Sequence, residues 1–247
     1  MTQERTRRLE WEGSLNARDL GGYRAADGRE IRWRAIVRSE SLHALTEAGQ
    51  AALAAYGVRS IVDLRMPEEL DTEPNPFAEP GEHGIAYTNV SFIDPAVSPP
   101  ETATTLAEDY VSMLQRFSTR VGDALTVIAR APEGGVLVHC AAGKDRTGLV
   151  CALLLDLAGV DRKTIGADYA LSGELLKSRQ EEWLLNGPGE RADRERVLAW
   201  GEPRAEVMPE VLDRVGNHYG GTEAYLREAG VDEEDIARLR ERLLPPA

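Results

Sequence analysis

Apolar residues fall along this chain in two rhythms. Short runs bounded by Gly, Pro or charge read as buried strands: VRSIVDLR from Val58, GIAYTNVSFID from Gly84 and GGVLVHC from Gly134. Between them the spacing turns helical. In LTEAGQAALAAYGV, Thr46 stands where an N-cap belongs and Gly57 where a helix stops. Tyr110, Met113, Leu114, Phe117, Val121, Leu125 and Ile128 predict helices with a break near Ser118 and Thr119. RTGLVCALLLDLAGV, from Arg146, is apolar on every face and predicts a buried helix ended by Gly159. Near the start, 31–33 and 35–37 read as short strands or a hairpin. TEAYLREAGVDEEDIARLRERLL, from Thr222, reads as two short helices divided by Gly230, the second capped by Asp232.

Strands alternating with helices predict an α/β fold, with a central mostly parallel sheet flanked by helices. One domain over 1–247 is expected. Its most polar helical stretch, about 175–212, is interrupted by NGPGERADRE and WGEPRAEVMPE and reads as an insertion able to cover something.

Composition narrows the function. The chain has 247 residues, 42% hydrophobic and 29% charged, enough for a sizeable core. No stretch approaches the roughly 18 apolar residues of a membrane span. The charged opening MTQERTRRLEWEG lacks a signal-peptide core, so a cytoplasmic location is expected. A net charge of −13 opposes nucleic acid and anionic membrane surfaces. An anionic substrate therefore needs a local positive site. Lys occurs only at 144, 163 and 177, which sets Lys144, directly after Gly143, apart. Two cysteines, Cys140 and Cys151, make neither a disulfide framework nor a zinc spacing. Cys151 lies in the apolar helix and reads as a small buried hydrophobe.

Cys140 ends a strand, and HCAAGKDR joins that strand to the buried helix. In open α/β sheets, ligands bind at this edge, where a helix N-terminus offers free N–H donors and a positive dipole. Gly143 lets successive amides turn inward as an anion nest, and the planar fork of Arg146 suits two phosphate oxygens. Those same features favour thiolate over thiol at Cys140. A nucleotide-binding loop of the Walker type needs Gly at 138 and Ser or Thr at 145; the chain has Val138 and Asp145. A papain-like pair has no supporting signature around His43, His83 or His218. A buried Cys beside a core His would explain neither the Gly nor the Lys-Asp-Arg.

His139-Cys140-Ala141-Ala142-Gly143-Lys144-Asp145-Arg146-Thr147-Gly148 matches the His-Cys-x5-Arg signature of cysteine-dependent phosphatases. Its Gly-Lys-Asp-Arg-Thr-Gly form resembles the bacterial tyrosine and lipid phosphatases of the mycobacterial tyrosine phosphatase B type. NARDLGGY, IVRSESLHALTEAG, GVRSIVDLR and HYGGTEAYLREAGV resemble the same family and fall in its order, from about residue 14 to the C-terminus.

The resemblance implies a cysteine-phosphatase fold and hydrolysis through a phosphocysteine, with no metal or cofactor. Cys140 would be the nucleophile, and Ala141, Ala142, Gly143, Lys144, Asp145 and Arg146 the phosphate-binding residues. Thr147 would hydrogen-bond the departing sulfur. For the general acid, Asp94 is the first choice: it ends a strand on the same sheet edge and matches the family's acid-loop position. Asp145 is the second. Asp63 and Arg65 read as a structural ion pair beneath the site. Expected substrates are phosphotyrosine proteins, with phosphoserine, phosphothreonine and phosphoinositide head groups also in view. Helices after the core act as a lid in that family, and here Trp183, Leu184, Leu185, Val197, Leu198 and Trp200 would close over the cup. Two other classes stay open: a catalytically silent phosphate-binding module, and a rhodanese- or arsenate-reductase-like thiol enzyme. The latter needs a resolving cysteine, and only Cys151 is present.

Overall fold

The computed structural model describes residues 6–79, 84–97 and 103–246. Five strands form one sheet among them: β1 (Arg18–Asp19), β2 (Ile36–Ser39), β3 (Val58–Asp63), β4 (Ala86–Asn89) and β5 (Gly135–His139), in the order β1-β2-β5-β3-β4. Only β1 runs antiparallel, against β2; the other pairs are parallel. The predicted α/β class holds. The run at 31–33 forms no strand, and the pairing expected there belongs to β1 and β2.

Successive strand side chains point to opposite faces, and each face feeds its own core. Ile36, Val62, Val136 and Val138 join a large cluster; Val37, Ile61 and Leu137 join a smaller one. The large core is covered by α3 (Leu106–Arg116), α4 (Ser118–Arg130), α5 (Asp145–Leu157), α6 (Arg162–Leu175), α9 (Val207–Tyr219), α10 (Thr222–Glu228) and α11 (Glu233–Leu243). The smaller core lies under α1 (Glu47–Tyr56), Trp11 and Phe77. α1 begins where expected, with the Thr46 hydroxyl accepting from Gly49 N at 3.2 Å. The break between α3 and α4 falls at Phe117, and α5 ends before Gly159, whose φ is +81°.

The stretch expected as a cover divides in two. α7 (Lys177–Asn186) and α8 (Arg191–Trp200) pack on each other as a hairpin, whereas Val207, Met208, Val211 and Leu212 of α9 lie in the main core. The boundary near 212 is thus too late, because the sequence from Val207 onward is core. Arg194 clasps the hairpin, donating to the carbonyls of Leu184 (3.0 Å), Gly187 (2.7 Å), Pro188 (3.3 Å) and Gly189 (2.6 Å). No helix among the described residues is long and apolar enough to cross a membrane.

Candidate active site

The β5–α5 loop sits where three strand ends converge: β2 runs into Glu40, β3 into Leu64, and β5 into Cys140. Most of its carbonyls are tied down. His139 O accepts from Leu64 N (2.8 Å), Ala141 O from Ser41 N (3.0 Å) and Ala142 O from Asn16 Nδ2 (3.0 Å). Gly143 O accepts from Arg38 (2.8 Å) and Asn16 (3.2 Å), and Lys144 O from Gly148 N (2.9 Å). No protein acceptor among the described residues takes the amide N–H of any residue from Ala141 to Arg146. With the carbonyls so engaged, these amides stand free for an anion at the positive end of the thirteen-residue helix α5.

Gly143 is required there twice over. Its φ is +64°, and a Cβ would stand 2.3 Å from Ser39 O.

A buried polar brace holds the loop from behind. Arg18 and Arg38 converge on Asp168 of α6, at 3.0 Å and 2.6 Å. Arg18 also donates to the Asp168 carbonyl (2.8 Å) and Ser172 (3.0 Å), and Asn16 Oδ1 accepts from Arg18 at 2.6 Å. Burial alone would raise the Asp168 carboxyl, but the two guanidiniums bring it down to about 2. The NARDLGGY and IVRSES segments thus supply the loop's support. Glu40 accepts from Asn16 N (3.0 Å) and Ser39 Oγ (3.0 Å), locking these two segments together.

Beneath the loop, Asp63 and Arg65 form the expected ion pair, 2.8 Å apart and fully buried. Asp63 also accepts from Tyr87 (3.0 Å) and faces His139 Nε2 at 3.3 Å. Burial opposes the Asp63 charge, yet His139 and Arg65 hold the carboxyl far below the usual range. His139 Nε2 further meets Asn75 at 2.9 Å.

Cys140 is 2% exposed. Arg146, near enough to feel the charge of Cys140, forms a fork with Glu69 of α2 (Pro67–Thr72), at 2.5 Å and 2.7 Å. Burial lowers the Arg146 guanidinium, but its bonds to Glu69 and the charges of Cys140, Glu69 and Asp145 raise it above its ordinary value. Glu69 is absent from the sequence reading: PEE after a strand signals only a helix start, and nothing local marks a partner 77 residues away. Thr147 is fully buried, and its hydroxyl has no hydrogen-bond partner among the described residues.

The two candidate acids are differently placed. Asp94 caps its own turn, accepting from Ala96 N at 2.9 Å, with Arg120 at 3.9 Å. The rest of that loop, 98–102, lies outside the described residues, as does His83. Asp145 opens α5 and accepts from the Tyr110 hydroxyl, with Lys144 Nζ at 3.5 Å. Lys144 donates to Gly201 O at 2.6 Å, and Arg179 to Ala141 O at 3.4 Å, so the α7–α8 hairpin touches the loop from both ends. Of the apolar residues expected to face the cup, Leu185, Val197 and Trp200 are exposed. Cys151 is deeply buried, and burial pushes its thiol up to about 11, as suits a core residue.

A buried cysteine, an arginine fork and a loop of amides without protein acceptors together mark a cysteine-dependent phosphatase loop. The chain belongs to the tyrosine phosphatase family, which residues 9–245 match, and it is a protein-tyrosine phosphatase. It is 36% identical to a tyrosine-protein phosphatase of Nostoc commune, over 85% of this chain and 74% of the relative. It is 31% identical to a putative tyrosine-protein phosphatase of Cupriavidus necator, over 94% of this chain and 86% of the relative. With the triple specificity protein phosphatase PtpB of Mycobacterium tuberculosis, identity is 29% over 95% of this chain and 98% of the relative.

Proposed function

We propose that the chain, one phosphatase domain, hydrolyses phosphate monoesters through a phosphocysteine on Cys140. The observation that carries this is the set of unclaimed amides from Ala141 to Arg146 around Cys140, beside the Arg146 fork. Phosphate oxygens take up those donors, and the Cys140 thiolate attacks phosphorus in line with the leaving oxygen. As the P–S bond forms and the P–O bond breaks, the amides and Arg146 hold the equatorial oxygens. Water then attacks phosphorus, the P–S bond breaks, and inorganic phosphate leaves. Thr147 offers its unpartnered hydroxyl to the departing thiolate.

Asp145 is assigned the proton transfers: to the leaving oxygen in the first step, and from water in the second. Its place in the loop, close enough to bear on Arg146, favours it over Asp94, whose carboxylate serves its own turn. Substrates are phosphotyrosine proteins. The breadth in the name of the mycobacterial relative extends the reading to phosphoserine, phosphothreonine and phosphoinositide head groups, with Lys144 as the second cation.

Hydrolysis of p-nitrophenyl phosphate tests the chemistry. Wild type turns it over; Cys140→Ser loses turnover but keeps inorganic phosphate as a ligand. A wild type that binds phosphate without turnover makes the chain a silent binding module. A panel of phosphotyrosine, phosphoserine and phosphothreonine peptides and phosphoinositides, ranked by kcat/KM, fixes the substrate class. A basic pH limb that survives in Asp94→Asn supports Asp145.

A further inference from the structure

We propose that Tyr110, braced by Tyr169, is a positioning residue that holds the Asp145 carboxylate at the mouth of the phosphate loop and tunes its proton transfer. The inference rests on the proton role assigned above to Asp145.

The geometry comes from two helices that meet behind the loop. Tyr110 lies on α3 and Tyr169 on α6, and each ring is 1% exposed. The rings pack edge to face, with centroids 6.1 Å apart and planes at 86°. The Tyr110 hydroxyl reaches Asp145 Oδ1, and the two hydroxyls lie 2.8 Å apart.

Counting protons gives the chain a direction. Tyr110 has one hydroxyl proton, and an ionised carboxylate is its stronger acceptor. Tyr169 must then donate to the Tyr110 oxygen, so the line runs from Tyr169 through Tyr110 to Asp145. The pair therefore fixes the Asp145 carboxylate through donors anchored in the core.

Other groups also bear on Asp145. Lys144 draws the carboxylate outward from 3.5 Å but is itself held by Gly201 O. Arg146 lies beside it on α5, and Asp109 of α3 repels it. Of these, only Tyr110 is anchored in the core and bonded to it, so only Tyr110 fixes where the carboxyl points.

The test is the pH dependence of kcat/KM in Tyr110→Phe, Tyr169→Phe and Asp145→Asn, each on p-nitrophenyl phosphate and on a phosphoserine peptide. Losing the bond from Tyr110 shifts the basic limb in Tyr110→Phe. Tyr169→Phe moves it the same way by less, and it answers the question if Tyr110→Phe does not fold. Below the limb, Tyr110→Phe loses about tenfold or more on phosphoserine, whose poor leaving group needs an aimed proton, and little on p-nitrophenyl phosphate. A purely structural role would lower both substrates alike and leave the limb in place. A limb abolished by Asp145→Asn but unmoved in both tyrosine variants overturns the positioning role while the function stands. A limb that survives in Asp145→Asn overturns the assignment of the proton and this role with it. Loss of all turnover in wild type counts against the proposed function itself.

Discussion

Glu69 shows how much a single residue can carry without any mark in the sequence. It binds Arg146 through both oxygens and also accepts from Met66 N at 2.8 Å, so it starts α2 and aims the guanidinium together. Hydrogen bonds to charged groups are worth about 1.5–3 kcal/mol. Glu69→Ala should therefore lower kcat/KM on p-nitrophenyl phosphate by roughly 10–100-fold. Thermal stability should fall as well, by about 1–2 kcal/mol, because the bond that starts α2 is lost with it, which circular dichroism melts would show. An Arg146 that works equally well alone would leave kcat/KM at the wild-type level. Cys140, Gly143 and Arg146 were legible because their chemistry is compressed into one loop with fixed spacing. Glu69, Asn16 and Asp168 were not, since each acts on that loop from a distant part of the chain and is an ordinary polar residue in its own neighbourhood.

Among the elements, α6 and the α7–α8 hairpin are fastened in opposite ways. α6 is riveted to β1 and β2 through one buried carboxylate shared by Arg18 and Arg38. Asp168→Asn would leave two buried guanidiniums without their counter-charge, at a cost of about 3–5 kcal/mol in denaturant unfolding at neutral pH. The pH dependence follows from the direction of the shift. The folded-state carboxyl stands at about 2, below its ordinary 3.8. Its stabilisation is complete above pH ~4 and is lost as pH falls toward ~2. The gap between wild type and Asp168→Asn should thus narrow by roughly 2 kcal/mol across that window. A gap independent of pH would mean the carboxylate's charge is not what fastens α6. The hairpin, by contrast, buries little besides Arg194. Arg194→Ala should speed amide exchange throughout α7 and α8 and leave β5 and α5 protected. Exchange rising equally in α5 would show that the hairpin is part of the core. Helix periodicity revealed these elements, but a polar helix reads the same whether it stands off the body or packs on it. Hence the late boundary near 212.

For the whole molecule, the sheet is unequally clad, with most helices on one face and α1 on the other. The site lies at neither face but at the edge where β2, β3 and β5 end. A cavity of about 660 Å³, lined by Arg32, Trp33, Arg34, Gly134 and Arg242, opens at the opposite edge, where β2 and β5 begin. The mostly parallel sheet was legible from alternation, whereas its antiparallel edge was not: β1 spans two residues, too few to show a period.

That short edge strand also sets a clock on the enzyme's birth. Arg18 must find Asp168, 150 positions later, and Ser172, 154 positions later, before the phosphate loop has its support. At roughly 5–20 residues per second, a ribosome needs about 8–30 s to make that span. During that time Cys140 can emerge without its brace. The newborn chain is thus born inert, and in arrested nascent chains turnover should appear only after Ser172 and the core helices that follow it have cleared the exit tunnel, and not when Arg146 does.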